Sequence, residues 1–174
     1  MVAPKHFNEN KELLTYDRVI ANPPFSMGQW WTPLESNPEV KIDKKTGKEK
    51  KVTPNYTKKV SDPYGRLQYG VPPRGYADMA FLQHMLAVLK ADGKMGVVLP
   101  HGTLFRGAAE AKIRKTILDA DLVEGIVGLP GALFYNTGIP ASIWVLNKKK
   151  PKKLAKKCWL LMLVTSIKKG KTKM

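Results

Sequence analysis

Residues Tyr16 to Phe25 read Tyr-Asp-Arg-Val-Ile-Ala-Asn-Pro-Pro-Phe, an apolar run stopped by two consecutive prolines, and they constrain the fold more than any other stretch. Val19, Ile20 and Ala21 have the pattern of a strand covered on both faces in a parallel sheet. Each proline fixes φ and removes a backbone donor, so the corner is stiff and offers carbonyl oxygens without competing N–H groups. Open α/β sheets bind ligands at the carboxyl ends of such strands. There the Asn22 side-chain oxygen and the Pro23 carbonyl can both accept hydrogen bonds from one exocyclic amino group, and Phe25 offers a flat face for stacking. The corner therefore reads as a pocket for an extruded adenine. The plainer reading is a loop in which Pro23 and Pro24 only stop the strand and Phe25 packs in the core.

The segments that follow describe part of an α/β sheet. Asp78 to Lys90 has apolar residues at helical spacing (Met79, Leu82, Met85, Leu86, Leu89) and meets a stop signal at Ala91-Asp92-Gly93. Lys94 to Pro100 is predicted as a strand ended by proline. Ala108 to Ala120 is predicted as a second helix with Ile113, Ile117 and Leu118 on one face. Leu122 to Leu129 and Ser142 to Asn147 are predicted as strands, the last one free to return antiparallel.

Several short motifs occur in a fixed order: Asn22-Pro23-Pro24-Phe25, Tyr69-Gly70-Val71-Pro72-Pro73, Ala77-Asp78-Met79-Ala80-Phe81-Leu82, Leu99-Pro100-His101-Gly102, Leu133-Phe134-Tyr135 and Thr137-Gly138-Ile139-Pro140. With these the chain resembles the modification subunit of type I restriction-modification systems, an N6-adenine DNA methyltransferase, from about Tyr16 to Asn147. The resemblance implies the C-terminal half of a Rossmann-like S-adenosylmethionine-dependent methyltransferase sheet with flanking helices. It implies Asn22, Pro23, Pro24 and Phe25 as catalytic residues, S-adenosyl-L-methionine as methyl donor, and DNA as substrate. It also implies separate specificity and restriction subunits as partners, in the cytoplasm. Tyr135, Thr137, Gly138 and His101 are further candidates for the base pocket, against plainer roles in a turn or loop. Asp78 reads as a helix cap, His84 as packing, and Arg106 and Arg114 as reaching either phosphates or solvent.

One departure governs the expected activity. No Gly-rich strand-to-helix turn precedes Tyr16, and the residues before it are fewer than the roughly 30 of a βαβ unit, so the donor-binding signature and its acidic ribose partner are missing. Three function classes stay open: a fragment of an adenine-N6 DNA methyltransferase, a protein-glutamine N-methyltransferase, and an inactive remnant that binds DNA or partner subunits. A sheet lacking its first strands is also expected to expose an apolar edge beside Tyr16 to Ala21.

Charge separates the body from the tail. Of the 30 basic residues, 11 lie in 148–174 with no acidic residue among them, so residues 1–147 carry 19 basic and 14 acidic side chains, a net charge of +5. Residues 1–150 are thus expected to form the partial catalytic domain, and 151–174 a Lys-rich tail that is disordered or the product of a shifted reading frame. Lys41 to Lys59, a second basic cluster, is expected to be a loop near the pocket mouth, either contacting phosphate or merely solvated. Cys158 is the sole cysteine, which excludes an internal disulfide or a multi-cysteine metal site. The apolar run Cys158 to Val164 is far shorter than the roughly 20 residues that span a bilayer, so no membrane association is expected.

Overall fold

The computed structural model describes residues 4–31, 39–42, 49–52, 62–134 and 137–163. Its centre is a five-stranded sheet. In chain order the strands are β1 (Tyr16–Ala21), β2 (Glu39–Ile42), β3 (Glu49–Val52), β4 (Leu89–Pro100), β5 (Val123–Gly128), β6 (Ala141–Asn147) and β7 (Trp159–Met162). The helices are α1 (Asp78–Ala87), the short α2 (Gly102–Phe105) and α3 (Ala108–Asp119). The sheet runs β1-β4-β6-β5-β7, while β2 and β3 pair separately as an antiparallel ribbon that overlaps the Lys41–Lys59 region, where a loop was expected. β1 lies parallel to β4, and β6 inserts antiparallel between β4 and β5.

Period-two alternation decides which side of the sheet is covered. Met95, Val97 and Leu99 of β4 and Trp144 and Leu146 of β6 face α1 and α3, where they bury Met79, Leu82, Leu86, Ile113 and Ile117. Truncating one of these to alanine costs about 2–5 kcal/mol. The opposite face carries Ile20, Gly96, Val98, Ile143 and Val145, which line a shallow apolar trough of about 440 Å³. No described helix covers it. β1 is consequently not covered on both faces: it is an edge strand, and Ile20 is 88% exposed. The apolar edge expected beside Tyr16 to Ala21 is present.

Other boundaries differ from the sequence expectation for identifiable reasons. α1 stops at Ala87 because the Tyr16 amide donates to the Val88 carbonyl (2.9 Å), drawing the chain directly into β4 at Leu89. The stop signal at Ala91-Asp92-Gly93 becomes an irregularity inside β4, where the pairing jumps from Tyr16–Leu89 to Arg18–Lys94. A Cβ on Gly93 would lie 3.1 Å from the Asp17 carbonyl oxygen and 2.7 Å from Leu89 Cδ1, which is why glycine sits there. In α3, Ile113 and Ile117 are buried but Leu118, one residue further round the helix, is 47% exposed.

The tail departs from the expectation of disorder as far as Leu163. A 3-10 turn at Lys152–Leu154 leads to β7, which pairs parallel with β5 from Gly125–Trp159 to Gly128–Met162. Two glycines make room for it: a Cβ on Gly125 would strike the Trp159 ring, and one on Gly128 the Met162 side chain. Lys150, with its side chain 3% exposed, ion-pairs with Asp121 at 2.5 Å and donates to the Val123 and Lys157 carbonyls. Trp159 to Leu163 remain substantially exposed on the sheet's second edge. No helix among the described residues is long and apolar enough to cross a membrane.

Candidate functional site

Three loops meet at one end of the sheet because of its strand directions. β1 and β4 are parallel, so their carboxyl ends, Asn22–Ser26 and His101–Gly107, are neighbours. β6 is antiparallel to β4 and starts at Ala141 opposite Pro100, which brings residues 129–134 and 137–140, between β5 and β6, to the same end.

At the tip of β1, Asn22 is exposed and makes no hydrogen bond to another described residue, whereas Pro23 is buried. Pro24 is exposed and Phe25 half-buried. The Phe25 ring meets Phe134 edge to face, with centroids 5.6 Å apart and planes at 86°. Phe134 was visible in the sequence only as part of a motif; its aromatic partnership depends on two loops more than a hundred residues apart. A free amide beside an aromatic pair can accept hydrogen bonds from a planar donor while a ring contacts its face.

The segment after Phe25 is fastened on two sides. Trp30 and Trp31 pack with Ala77 and Ala80, and the Trp30 indole donates to the Pro73 carbonyl at 2.9 Å. The Gln29 amide donates to Arg74 O (2.9 Å), and the Ala77 amide to Met27 O (3.0 Å). Gln83, fully buried on α1, holds the Tyr69–Pro73 segment by accepting from the Tyr69 amide (3.0 Å) and donating to the Gly70 carbonyl (2.8 Å).

On the other side lies a charged cluster. Asp78 does not cap its own helix: Ala77 is the N-cap residue, without a side-chain bond. The Asp78 carboxylate accepts instead from the Ser26 amide at 2.8 Å and from Arg106 Nη1 at 2.7 Å. Arg106 Nη2 donates to Ser26 Oγ at 2.9 Å, and the guanidinium lies 4.1 Å from the Tyr76 ring centroid. Arg106 is thus engaged within the protein. Burial works against its charge, but the bond to Asp78 and the nearby Glu110 outweigh this and raise its pKa. Burial also pushes the Glu110 carboxyl upward, in spite of Arg106 at 3.4 Å. Arg114 Nη1 donates to the Thr103 and Arg106 carbonyls, both at 3.0 Å.

The other candidates occupy distinct positions. His101 follows β4, with its amide donating to Pro140 O (2.9 Å) and its Nε2 buried without a partner among the described residues. Thr137 Oγ1 accepts from the Ile139 amide at 3.1 Å, closing a local turn, and Gly138 is exposed. Tyr135 lies outside the described residues. His84 sits on α1 with Nδ1 buried and unpartnered, and burial lowers its pKa. Among the described residues no group of acidic, histidine or cysteine side chains is arranged to hold a metal.

The sequence matches the model of the N-6 DNA methylase family over residues 3–174. It is 36% identical over 151 residues to the methylase subunit of type I restriction enzyme HindI from Haemophilus influenzae, covering 86% of this chain and 27% of that protein. It is also 36% identical over 141 residues to the MjaIX methylase subunit from Methanocaldococcus jannaschii, covering 79% of this chain and 21% of the relative. Among solved structures, the methyltransferase subunit of a type I restriction-modification system from Streptococcus thermophilus superposes with a TM-score of 0.62 and 31% identity, covering 85% of this chain and 26% of that one. The chain therefore spans about a quarter of the length of the proteins it matches.

Proposed function

Because the chain belongs to the N-6 DNA methylase family, we propose that it is the target-base portion of an adenine-N6 DNA methyltransferase, the modification subunit of a type I restriction-modification system. The observation that carries this reading is Asn22, exposed and unbonded at the tip of β1 beside the Phe25–Phe134 pair. Adenine in a duplex is inaccessible, so the nucleotide has to leave the stack before its amino group can be reached. Asn22 Oδ1 and the Pro23 carbonyl then accept the two N–H bonds of N6. This draws the nitrogen lone pair out of conjugation with the ring and fixes its direction. Phe25 stacks on the base and keeps water from that face, and the work is one of orientation and electrostatics, with no covalent enzyme intermediate.

S-adenosyl-L-methionine is the donor the family implies. Gly102 is the glycine that opens a helix directly after a strand, yet the space its Cβ would take is filled by the Arg106 guanidinium at 2.5 Å. That turn is left without room for the donor's ribose. The part of the reaction assigned to this chain is therefore recognition and orientation of the amino group. The same observation supports a second reading, a DNA- or partner-binding remnant without donor. The relatives are named as subunits, and we propose specificity and restriction subunits as partners of the complete protein.

The test is fluorescence anisotropy with short oligothymidylates that carry, or lack, one central adenine. Two net hydrogen bonds of about 1 kcal/mol each plus stacking of about 1–3 kcal/mol give a preference of tenfold or more for the adenine oligomer. Asn22→Ala is expected to abolish most of it. Equal affinities for the two oligomers in the unmodified chain would refute the reading.

A further inference from the structure

We propose that Asp78 and Arg106 are positioning residues for the Asn22-Pro23-Pro24-Phe25 corner, acting through Ser26; this rests on the base-binding role assigned to that corner above. Ser26 follows Phe25 directly and has φ of +51°, a left-handed conformation uncommon for residues other than glycine. Two bonds hold it. Its amide donates to Asp78 Oδ1 (2.8 Å), and its hydroxyl accepts from Arg106 Nη2 (2.9 Å).

The same two residues close the arrangement on each other, since Arg106 Nη1 donates to Asp78 Oδ2 at 2.7 Å. Asp78 is fully buried, and its two partners, Ser26 and Arg106, come from two loops 52 and 28 residues away along the chain. Such a contact is made only when the β1 corner, the start of α1 and the turn after β4 are all in place. The planar guanidinium spans two acceptors at once while stacking on Tyr76, which a lysine ammonium cannot reproduce. Arg114 completes the support by fixing the carbonyls of Thr103 and of Arg106 itself.

An ion pair that served stability alone had no need to reach the residue next to the base-stacking ring. Here both members converge on Ser26, so the direction in which Asn22 and Phe25 leave the sheet is set by a charge pair that touches neither of them. Losing it frees Ser26 to relax toward negative φ and swings the corner out of line with Phe134.

The experiment compares affinities for the adenine-bearing oligothymidylate and for plain oligothymidylate in the full chain, in Arg106→Lys and in Ser26→Ala, together with thermal midpoints. Arg106→Lys is expected to lower the adenine preference about tenfold and Ser26→Ala about threefold, with affinity for plain oligothymidylate unchanged within about twofold. A pair with only a structural role lowers the thermal midpoint and leaves the preference of the folded protein where it was; that result overturns the inference. Should Arg106→Lys fail to fold, Ser26→Ala, which removes one hydroxyl, decides alone: an unchanged preference overturns the inference. Absence of any adenine preference in the unmodified chain refutes the base-binding role instead, so the two failures are told apart.

Discussion

Replacing Asp78 by alanine is the most informative single perturbation of stability. Its side chain is 1% exposed and accepts one bond from the Arg106 guanidinium at 2.7 Å and one from the Ser26 amide at 2.8 Å. Removing one member of a buried charge pair typically costs about 3–5 kcal/mol, because the other is left uncompensated. Arg106 is 22% exposed and retains Glu110 at 3.4 Å, so part of its charge stays balanced and the expected cost falls at the lower end, about 3 kcal/mol. For a domain of this size that corresponds to a fall in Tm of roughly 6–12 °C. Urea unfolding of the chain, of Asp78→Ala, of Arg106→Met and of the double variant supplies the assay. The double variant is expected to cost about 2 kcal/mol less than the sum of the single ones, since the second substitution removes a charge the first had orphaned. A cost for Asp78→Ala under about 1 kcal/mol, or additivity within about 0.5 kcal/mol, would refute the assignment of this pair as a buried, coupled contact.

Three further outcomes are expected. His84 has a pKa depressed by burial, so its contribution to stability is present above the ordinary histidine value of about 6.5 and is lost as pH falls through that value toward the folded pKa. The urea midpoint should thus decline below about pH 6.5, and less steeply in His84→Gln; parallel curves down to about pH 5 would contradict this. Glu110, raised by burial, has the opposite sign: its contribution is lost as pH rises through its folded pKa, so the comparison with His84→Gln is what isolates the histidine. Ile20→Lys, on a side chain 88% exposed, is expected to change stability by no more than about 0.5 kcal/mol and to reduce self-association in light scattering, whereas a loss above about 1.5 kcal/mol would mean that the trough face is covered. Gly125→Ala places a methyl group where the Trp159 ring lies, so amide exchange at 159–163 should accelerate while the α1 and α3 amides stay protected; unchanged protection of 159–163 would contradict the packing of β7 on β5.

Local pattern carried much of the fold. β5, β6 and α3 begin and end within about two residues of their periodic segments, because each is bounded by turn residues next to a clear apolar stripe. The end of α1 was not legible, since Leu89 fits the helical spacing equally well and only the long-range capture of the Val88 carbonyl by Tyr16 turns it into a strand. β1 reads as covered on both faces from Val19-Ile20-Ala21, but burial depends on neighbours that a short apolar run does not encode. β7 was hidden for a similar reason: a Lys-rich flank masks four apolar residues whose strand depends on two glycines in β5. At the site, the diproline corner was conspicuous because Asn, Pro and Phe are adjacent in sequence. The Asp78–Arg106–Ser26 contact was not, because its members lie 28, 52 and 80 residues apart and each has an ordinary surface or capping role when read alone.

The central claim, that the corner at the tip of β1 receives an adenine through its amino group, is tested most directly by NMR on the chain bound to an oligothymidylate with a single central adenine labelled with nitrogen-15 at N6. Cross-relaxation between the adenine ring protons and the Phe25 ring, together with a shift of the labelled amino signal that disappears in Asn22→Ala, is the result the account predicts. Cross-relaxation confined to lysine side chains, with the amino signal unmoved on binding, would contradict it.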